Sequence, residues 1–210
     1  MHSPKSSPQK HSHRLLIATH NYGKLSEFSQ LLGDVPYELV TLKNLGISKE
    51  IDEYGTSFIE NAEIKSAAYA QLSGLLTISE DSGLEVDALG GKPGVKSHRH
   101  GGINTSDEEK NSGILNQLCN VPMADRTARF RSAICISSPN ESITTVEGTI
   151  EGFIIFAPKG ANGFGYDPIF LVPEFGKSMA EMSSDLKNKI SHRGKAAMKA
   201  VGILRQINAR

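Results

Sequence analysis

SEDSGLEVDALGG, residues 79–91, follows directly on the apolar run Leu75-Leu76-Thr77-Ile78. That run reads as a buried strand ending at Ser79. Glu80 and Asp81 then stand side by side at its end, with Ser82 and Gly83 immediately after them. Adjacent carboxylates repel each other, and one must be partly desolvated to sit there. Positive groups therefore belong opposite them.

Outward from this stretch, strands and helices alternate without an internal repeat. Residues 14–19 read as a buried strand and residues 20–23 as a turn. A helix opens near Lys24 with Leu25, Phe28, Leu31 and Leu32 on one face and Gly33 as its stop. Residues 37–42 form a second strand and residues 46–55 a polar, acidic loop. The Ser57/Glu60 and Ser106/Glu109 pairs have capping-box spacing, opening helices that run to about Ser73 and Leu118. Residues 126–137 read as a strand with Phe130, Ser132, Ile134 and Ile136 on one face. Residues 143–156 read as a strand pair or one long bent strand. A Gly-rich loop then leads to a strand at residues 169–172, and Ser191 caps a final helix carrying Ala197, Val201, Leu204 and Ile207. Because the strands between residues 126 and 156 follow one another without a helix, the class is α/β or α+β with a mixed sheet.

Composition narrows the function. The chain has 210 residues, 38% of them hydrophobic, which suggests a single domain with a real core. Its net charge is zero, so a nucleic-acid scaffold is disfavoured and any positive site is local. There is no apolar run of about 18 residues to span a membrane. The opening residues 1–13, MHSPKSSPQKHSH, are polar and read as a disordered tail, with no apolar centre for a secretory signal. Cys119 and Cys135 share no metal motif and read as two buried, reduced thiols of a cytoplasmic protein.

Four places carry chemistry. THNYGK, residues 19–24, joins a strand to a helix N-terminus with an ammonium nearby, which suits a phosphate, although the glycine spacing is not that of a Walker loop. Asp52, Glu53, Glu80 and Asp81, if the loop folds over the strand end, make a set of hard oxygen ligands for Mg²⁺. GFGYDP, residues 163–168, places Phe164 between glycines, where a flat base could stack, with Tyr166 and Asp167 alongside. In KNKISHRG, residues 187–194, His192 and Arg193 fall in the first turn of the last helix, where a cation is poorly placed unless an anion docks. Together these describe phosphate donors at Lys24, Lys187 and Arg193, a metal held by acids, and an aromatic platform, as a nucleoside triphosphate with Mg²⁺ requires.

The stretches THNYGK, FIENAEIKSA, SEDSGLEVDALGGKPGV, GFGYDPIF and SHRGKA, in this order, resemble the inosine triphosphate pyrophosphatases, also called XTP/dITP diphosphatases. The resemblance covers essentially everything from Arg14 to Arg210. It implies an elongated mixed sheet flanked by helices, a homodimer, and Mg²⁺-dependent hydrolysis of ITP, dITP and XTP to the monophosphate and pyrophosphate. By position it implies that Thr19, His20, Asn21, Tyr22, Gly23 and Lys24 hold the triphosphate and that Asp81 is both general base and metal ligand. Ser82 contacts substrate, and Phe164, Gly165, Tyr166 and Asp167 contact the nucleoside. Lys187, His192 and Arg193 contact phosphate and base, and Lys65 belongs to the phosphate side. The usual Glu-Glu-Thr-Gly of the acidic loop is Asp52-Glu53-Tyr54-Gly55 here, so either Asp52 or Glu53 is the loop's metal ligand. Glu80 stands where the family often has Asp, and His100 where tyrosine is common.

Selectivity for a 6-keto purine needs a donor that adenine leaves unpaired, and His192, Arg193 and amides near Phe164 are the candidates. Two rival readings are a relative acting on other modified nucleotides and a nucleotide sensor that binds without turnover.

Overall fold

The structure, a computed structural model, describes residues 13–102 and 104–209. In chain order its elements are β1 (Arg14–Ile17), α1 (Tyr22–Leu31), β2 (Glu38–Thr41), α2 (Phe58–Ser73), β3 (Leu76–Val86), β4 (Lys92–Pro93), α3 (Asp107–Gln117), β5 (Thr127–Ser138), β6 (Glu141–Ile154), β7 (Phe170–Val172), β8 (Lys177–Ser178), α4 (Ser184–Ile190) and α5 (His192–Asn208). The strands form one eight-stranded mixed sheet in the order β2-β1-β3-β5-β6-β7-β8, with β4 paired to β3. β1 pairs parallel with both β2 and β3, whereas β3, β5, β6, β7 and β8 pair antiparallel. The α/β mixed sheet expected from the sequence is thus present. No helix among the described residues is long and apolar enough to cross a membrane.

The decisive difference lies in the opening stretch. The strand expected to end at Ser79 runs on to Val86, and Glu80 and Asp81 sit in its middle, paired with Ile134 and Ala133 of β5. Successive side chains of a strand point to opposite faces. Ile78 therefore joins the core that α1 and α5 cover, with Phe28, Ala197 and Leu204, while Ser79 faces α2 and donates to the Ala62 carbonyl at 2.6 Å. The two carboxylates consequently lie on opposite faces of the sheet and need no strand end to keep them apart.

Helix ends follow local chemistry. Asn21 caps α1 by accepting from the Lys24 amide, so α1 begins earlier than the Lys24 start expected. The full capping box at Ser106/Glu109 is present. At α2 only half of it forms: Ser57 accepts the Glu60 amide, but the Glu60 carboxylate turns to the amide and hydroxyl of Thr56. Residues 141–154 are one long strand rather than a pair. Of the tail, residues 1–12 lie outside the described residues, and His13 already belongs to the fold, its carbonyl accepting from the Glu38 amide. The two thiols also divide: Cys135 is buried within β5, but Cys119 is exposed in the turn that ends α3.

α5 rests on β6 at Gly148. A Cβ there would stand 2.1 Å from the His192 carbonyl and 2.6 Å from the Ala196 amide, both backbone atoms of α5. Glycine at this position lets the helix sit directly on the sheet and so sets the height of His192 and Arg193. Gly148→Ala is expected to lift α5 and destabilise the protein by about 1–3 kcal/mol in urea denaturation. Gly202→Ala, where an added Cβ meets nothing within 4 Å, is expected to be neutral or stabilising by up to about 1 kcal/mol.

Candidate active site

A cleft of about 370 Å³ opens where β1 ends and α1 begins. The parallel part of the sheet reverses its strand order here: α1 leads from β1 out to β2, and α2 leads from β2 back past β1 to β3, a usual place for ligands. Its walls are the start of α1 (His20 to Lys24), Ser82 and Gly83 of β3, Ser97 and His98, Asp107 and Lys110 of α3, Phe130, the loop from Phe164 to Asp167, Lys187 of α4, and His192 and Arg193 of α5.

Glu80 forms the floor. Its side chain is 1% exposed. Lys24 Nζ lies 3.2 Å from its Oε2, Arg193 Nε lies 2.9 Å from Oε1, and the Ser132 hydroxyl donates to Oε1 at 2.7 Å. Burial opposes its ionisation, but Arg193 and Lys24 outweigh burial and hold the carboxyl far below the ordinary carboxylate range. Arg193 also pairs with Glu27 and donates to the Ser82 hydroxyl at 3.0 Å. Lys187 Nζ lies 2.7 Å from Glu27 Oε1 and pairs with Asp167, whose carboxylate accepts from the Phe164 amide. The anion expected opposite the first turn of α5 is therefore supplied by the protein itself. Glu27, which sequence reasoning missed, sits one turn after Lys24 on α1; that spacing was its only signal.

His192 is buried and stacks on Phe130, with ring centroids 4.8 Å apart. Burial, reinforced by Arg193, pushes its pKa well below the usual histidine range, so it is neutral at pH 7. Its Nδ1 has no hydrogen-bond partner among the described residues. The Phe164 ring packs against Gly23, where a Cβ would come within 2.6 Å of it, and Lys187 and Arg193 lie 4.9 and 5.4 Å from its centroid. Tyr166 is buried, and its hydroxyl donates to the Ser97 carbonyl. Thr19 and Asn21 spend their side chains locally, Thr19 accepting from the Asn21 amide and Asn21 from the Lys24 amide. His20 reaches the Lys49 carbonyl, and Tyr22 is 80% exposed at the rim.

Asp81 looks the other way, towards α2. Asn61 donates to its Oδ2 at 3.0 Å, and Lys65 Nζ lies 3.6 Å from its Oδ1. The same ammonium lies 2.5 Å from Glu53 Oε1. Burial raises the Asp81 pKa against the pull of Lys65 and Lys24, and the nearby Glu53 adds to the rise. At Glu53 burial loses to Lys65, and that carboxyl stays below its ordinary range. Glu53 and Asp81 thus converge on one ammonium. Asp52 is exposed, with no hydrogen bond or ion pair among the described residues joining it to them. No cluster of three or more His, Cys, Asp or Glu able to hold a metal forms among the described residues. Two carboxylates with positions left for water and phosphate oxygens are nevertheless the donor set that suits Mg²⁺. By donor chemistry the residues present fit that ion, and Glu53 and Asp81 are the ones that would hold it.

Residues 15–203 match the Ham1 family, and the chain belongs to it. A relative from Bacillus subtilis named dITP/XTP pyrophosphatase is 46% identical over 90% of this chain and 96% of its own length. One of the same name from Geobacter sulfurreducens is 45% identical, covering 87% of this chain and 92% of its own. The Ham1 protein structure from Staphylococcus aureus superposes with a TM-score of 0.82 at 39% identity, covering 92% of this chain and 99% of that one. That from Coxiella burnetii gives 0.83 at 36% identity with the same coverage.

The buried network makes a stability prediction. Glu80→Gln keeps the shape but removes the charge between Lys24 and Arg193, and stranding a buried cation costs about 3–5 kcal/mol. Because the folded pKa of Glu80 is depressed below its ordinary 4.5, its stabilisation is present above that pH and lost as pH falls through the folded value. Urea titrations from pH 7 downward are expected to show the variant less stable at neutral pH and with a shallower loss below pH 4.5. Equal midpoints at pH 7 would remove Glu80 as the hub.

Proposed function

We propose that this protein hydrolyses ITP, dITP and XTP to the nucleoside monophosphate and pyrophosphate, with Mg²⁺ as its cofactor. The observation that carries the reading is the layout of one cleft. A cation-backed aromatic, Phe164, packs on the start of α1, where Lys24 lines the cleft, and Asp81, Glu53 and Lys65 gather on the other face of β3, with both carboxyls within the field of Lys24. The names carried by the relatives support the same substrate class.

In this reading the base lies against Phe164. The neutral His192 imidazole offers a hydrogen-bond donor to the 6-keto oxygen. An adenine 6-amino group cannot accept that bond, which leaves a buried donor unpaired and discriminates against ATP. The polyphosphate runs towards Lys24 and the first-turn amides of α1, where a helix N-terminus favours an anion. Asp81 takes a proton from a water molecule as that water's oxygen attacks the α-phosphorus. The bond from the α-phosphorus to the oxygen bridging to the β-phosphorus breaks, and pyrophosphate leaves with that electron pair. Burial makes Asp81 a stronger base than an ordinary carboxylate. Bound Mg²⁺, held by Glu53 and Asp81, would supply neutralisation of phosphate charge. Lys24 and Lys65 stabilise the charge that develops on the phosphates. Residues 14–210 act as one domain, and by the family resemblance the enzyme is a cytoplasmic homodimer.

Purified protein with Mg²⁺ is expected to release pyrophosphate from ITP, dITP and XTP and little from ATP or GTP. Orthophosphate in its place would move the attack to another phosphorus, and tight binding without release would favour a sensor. Asp81→Asn is expected to lower turnover by about 10²- to 10⁴-fold, the range for a lost general base, while the protein stays folded by circular dichroism. A fully active variant would sink the assignment.

A further inference from the structure

The loop that carries Phe164 is pinned residue by residue. The Phe164 amide is taken by Asp167, and the Tyr166 hydroxyl is anchored on the Ser97 carbonyl. Between them, both backbone groups of Gly165 are taken by a single distant helix. Asp107 Oδ2 accepts the Gly165 amide at 2.7 Å, and Asn111 Nδ2 donates to the Gly165 carbonyl at 3.1 Å. Asp107 and Asn111 are four residues apart on α3 and so share one face of it. That helix is a fixed post: a full capping box holds its start, and the buried Arg126 donates to the carbonyls of Leu118 and Val121 just past its end. Asn111 is 4% exposed, yet its Oδ1 has no partner among the described residues. An apolar side chain would avoid that orphaned atom, so the amide is retained for the one bond that it makes, to Gly165.

Gly165 itself has φ +64°, and a Cβ added there would meet nothing within 4 Å. Its orientation depends on the two side chains of α3. That orientation sets the plane of the Phe164 ring next door, which is wedged against Gly23 and lies under Lys187 and Arg193. We propose that Asp107 and Asn111 are positioning residues for base recognition: they clamp the Gly165 peptide and so hold the Phe164 ring at the height and tilt that a purine needs. This rests on the reading of Phe164 as the base platform. It makes α3 a determinant of base affinity through the peptide that it holds. The clamp meets the start of α1 only through the contact of the Phe164 ring with Gly23, while the side chain of Lys24 is held from the other side by Glu80.

The test uses two probes, inosine monophosphate, which carries the base, and inorganic tripolyphosphate, which lacks it, with binding followed by calorimetry. Asp107→Ala and Asn111→Leu are each expected to weaken inosine monophosphate by about 10-fold, the loss of one hydrogen bond that holds the platform, with tripolyphosphate unchanged within about 2-fold. Asp107→Asn, which keeps an acceptor oxygen, is expected to recover most of the lost affinity. In turnover, the same two variants raise KM for dITP more than they lower kcat. Unchanged inosine monophosphate affinity would overturn the clamp, as would a wild type that does not bind this probe. A parallel fall for both probes with a lowered Tm would also overturn it, since α3 would then be only structural. The proposed reaction fails separately, by absence of pyrophosphate release, whereas the clamp stands or falls on the ratio of the two affinities.

Discussion

Lys24 and Arg193 meet on the buried carboxylate of Glu80, and the site is organised around that junction. Three acids, Glu27, Glu80 and Asp167, face three bases, Lys24, Lys187 and Arg193, and each base is paired with at least one of the acids. The participants come from α1, β3, the Phe164 loop, α4 and α5. Buried ion pairs add little net stability because desolvation offsets their attraction, but removing one partner leaves an uncompensated charge. The network therefore contributes mainly geometry. Five segments with little else in common are held in one arrangement, and none can shift without exposing or stranding a charge.

The strand period converts an apparent conflict into a division of labour. Glu80 and Asp81 are neighbours in sequence but face opposite sides of the sheet, and each meets its own cations. Glu80 is structural, since its charge is consumed by the protein. Asp81 is held by Asn61 and Lys65 alone, and burial leaves it a better base. One dipeptide thus supplies a buried support on one face of the sheet and, in the proposed reading, the general base on the other.

Much of this was legible in the sequence, and the rest was not for a definable reason. Lys24, Asp81, Phe164 and Arg193 stand in short motifs where turn glycines, a helix start or adjacent charges announce them. The extent of β3 was misread because paired carboxylates look like a strand end until the cations that neutralise them are known. Those cations, and the other missed residues, are remote in the chain. Glu27 and Arg193 are 166 residues apart, Asp107 and Gly165 are 58 apart, and Ser132 and Glu80 are 52 apart. A polar residue with a distant partner has no periodicity to betray it. The choice between Asp52 and Glu53 was likewise a question of which way a loop turns, and Glu53 is the one that reaches Lys65.

Ion pairing runs through the whole of the site. Lys187 and Arg193 looked like phosphate donors from sequence, but Glu27, Glu80 and Asp167 already neutralise them. A neutral base fits such a surface well, because it needs flat contact and a few directed hydrogen bonds rather than net charge. The opposite end has Lys24, the start of α1, and Lys65 bridging two carboxylates that a divalent cation could share. In the proposed reading the phosphates lie at that end. Lys24 and Lys65 are themselves paired, with Glu80 and with Glu53 and Asp81, so in the proposed reading the polarity of the substrate is set instead by the free first-turn amides of α1 and by carboxylates that a divalent cation could share.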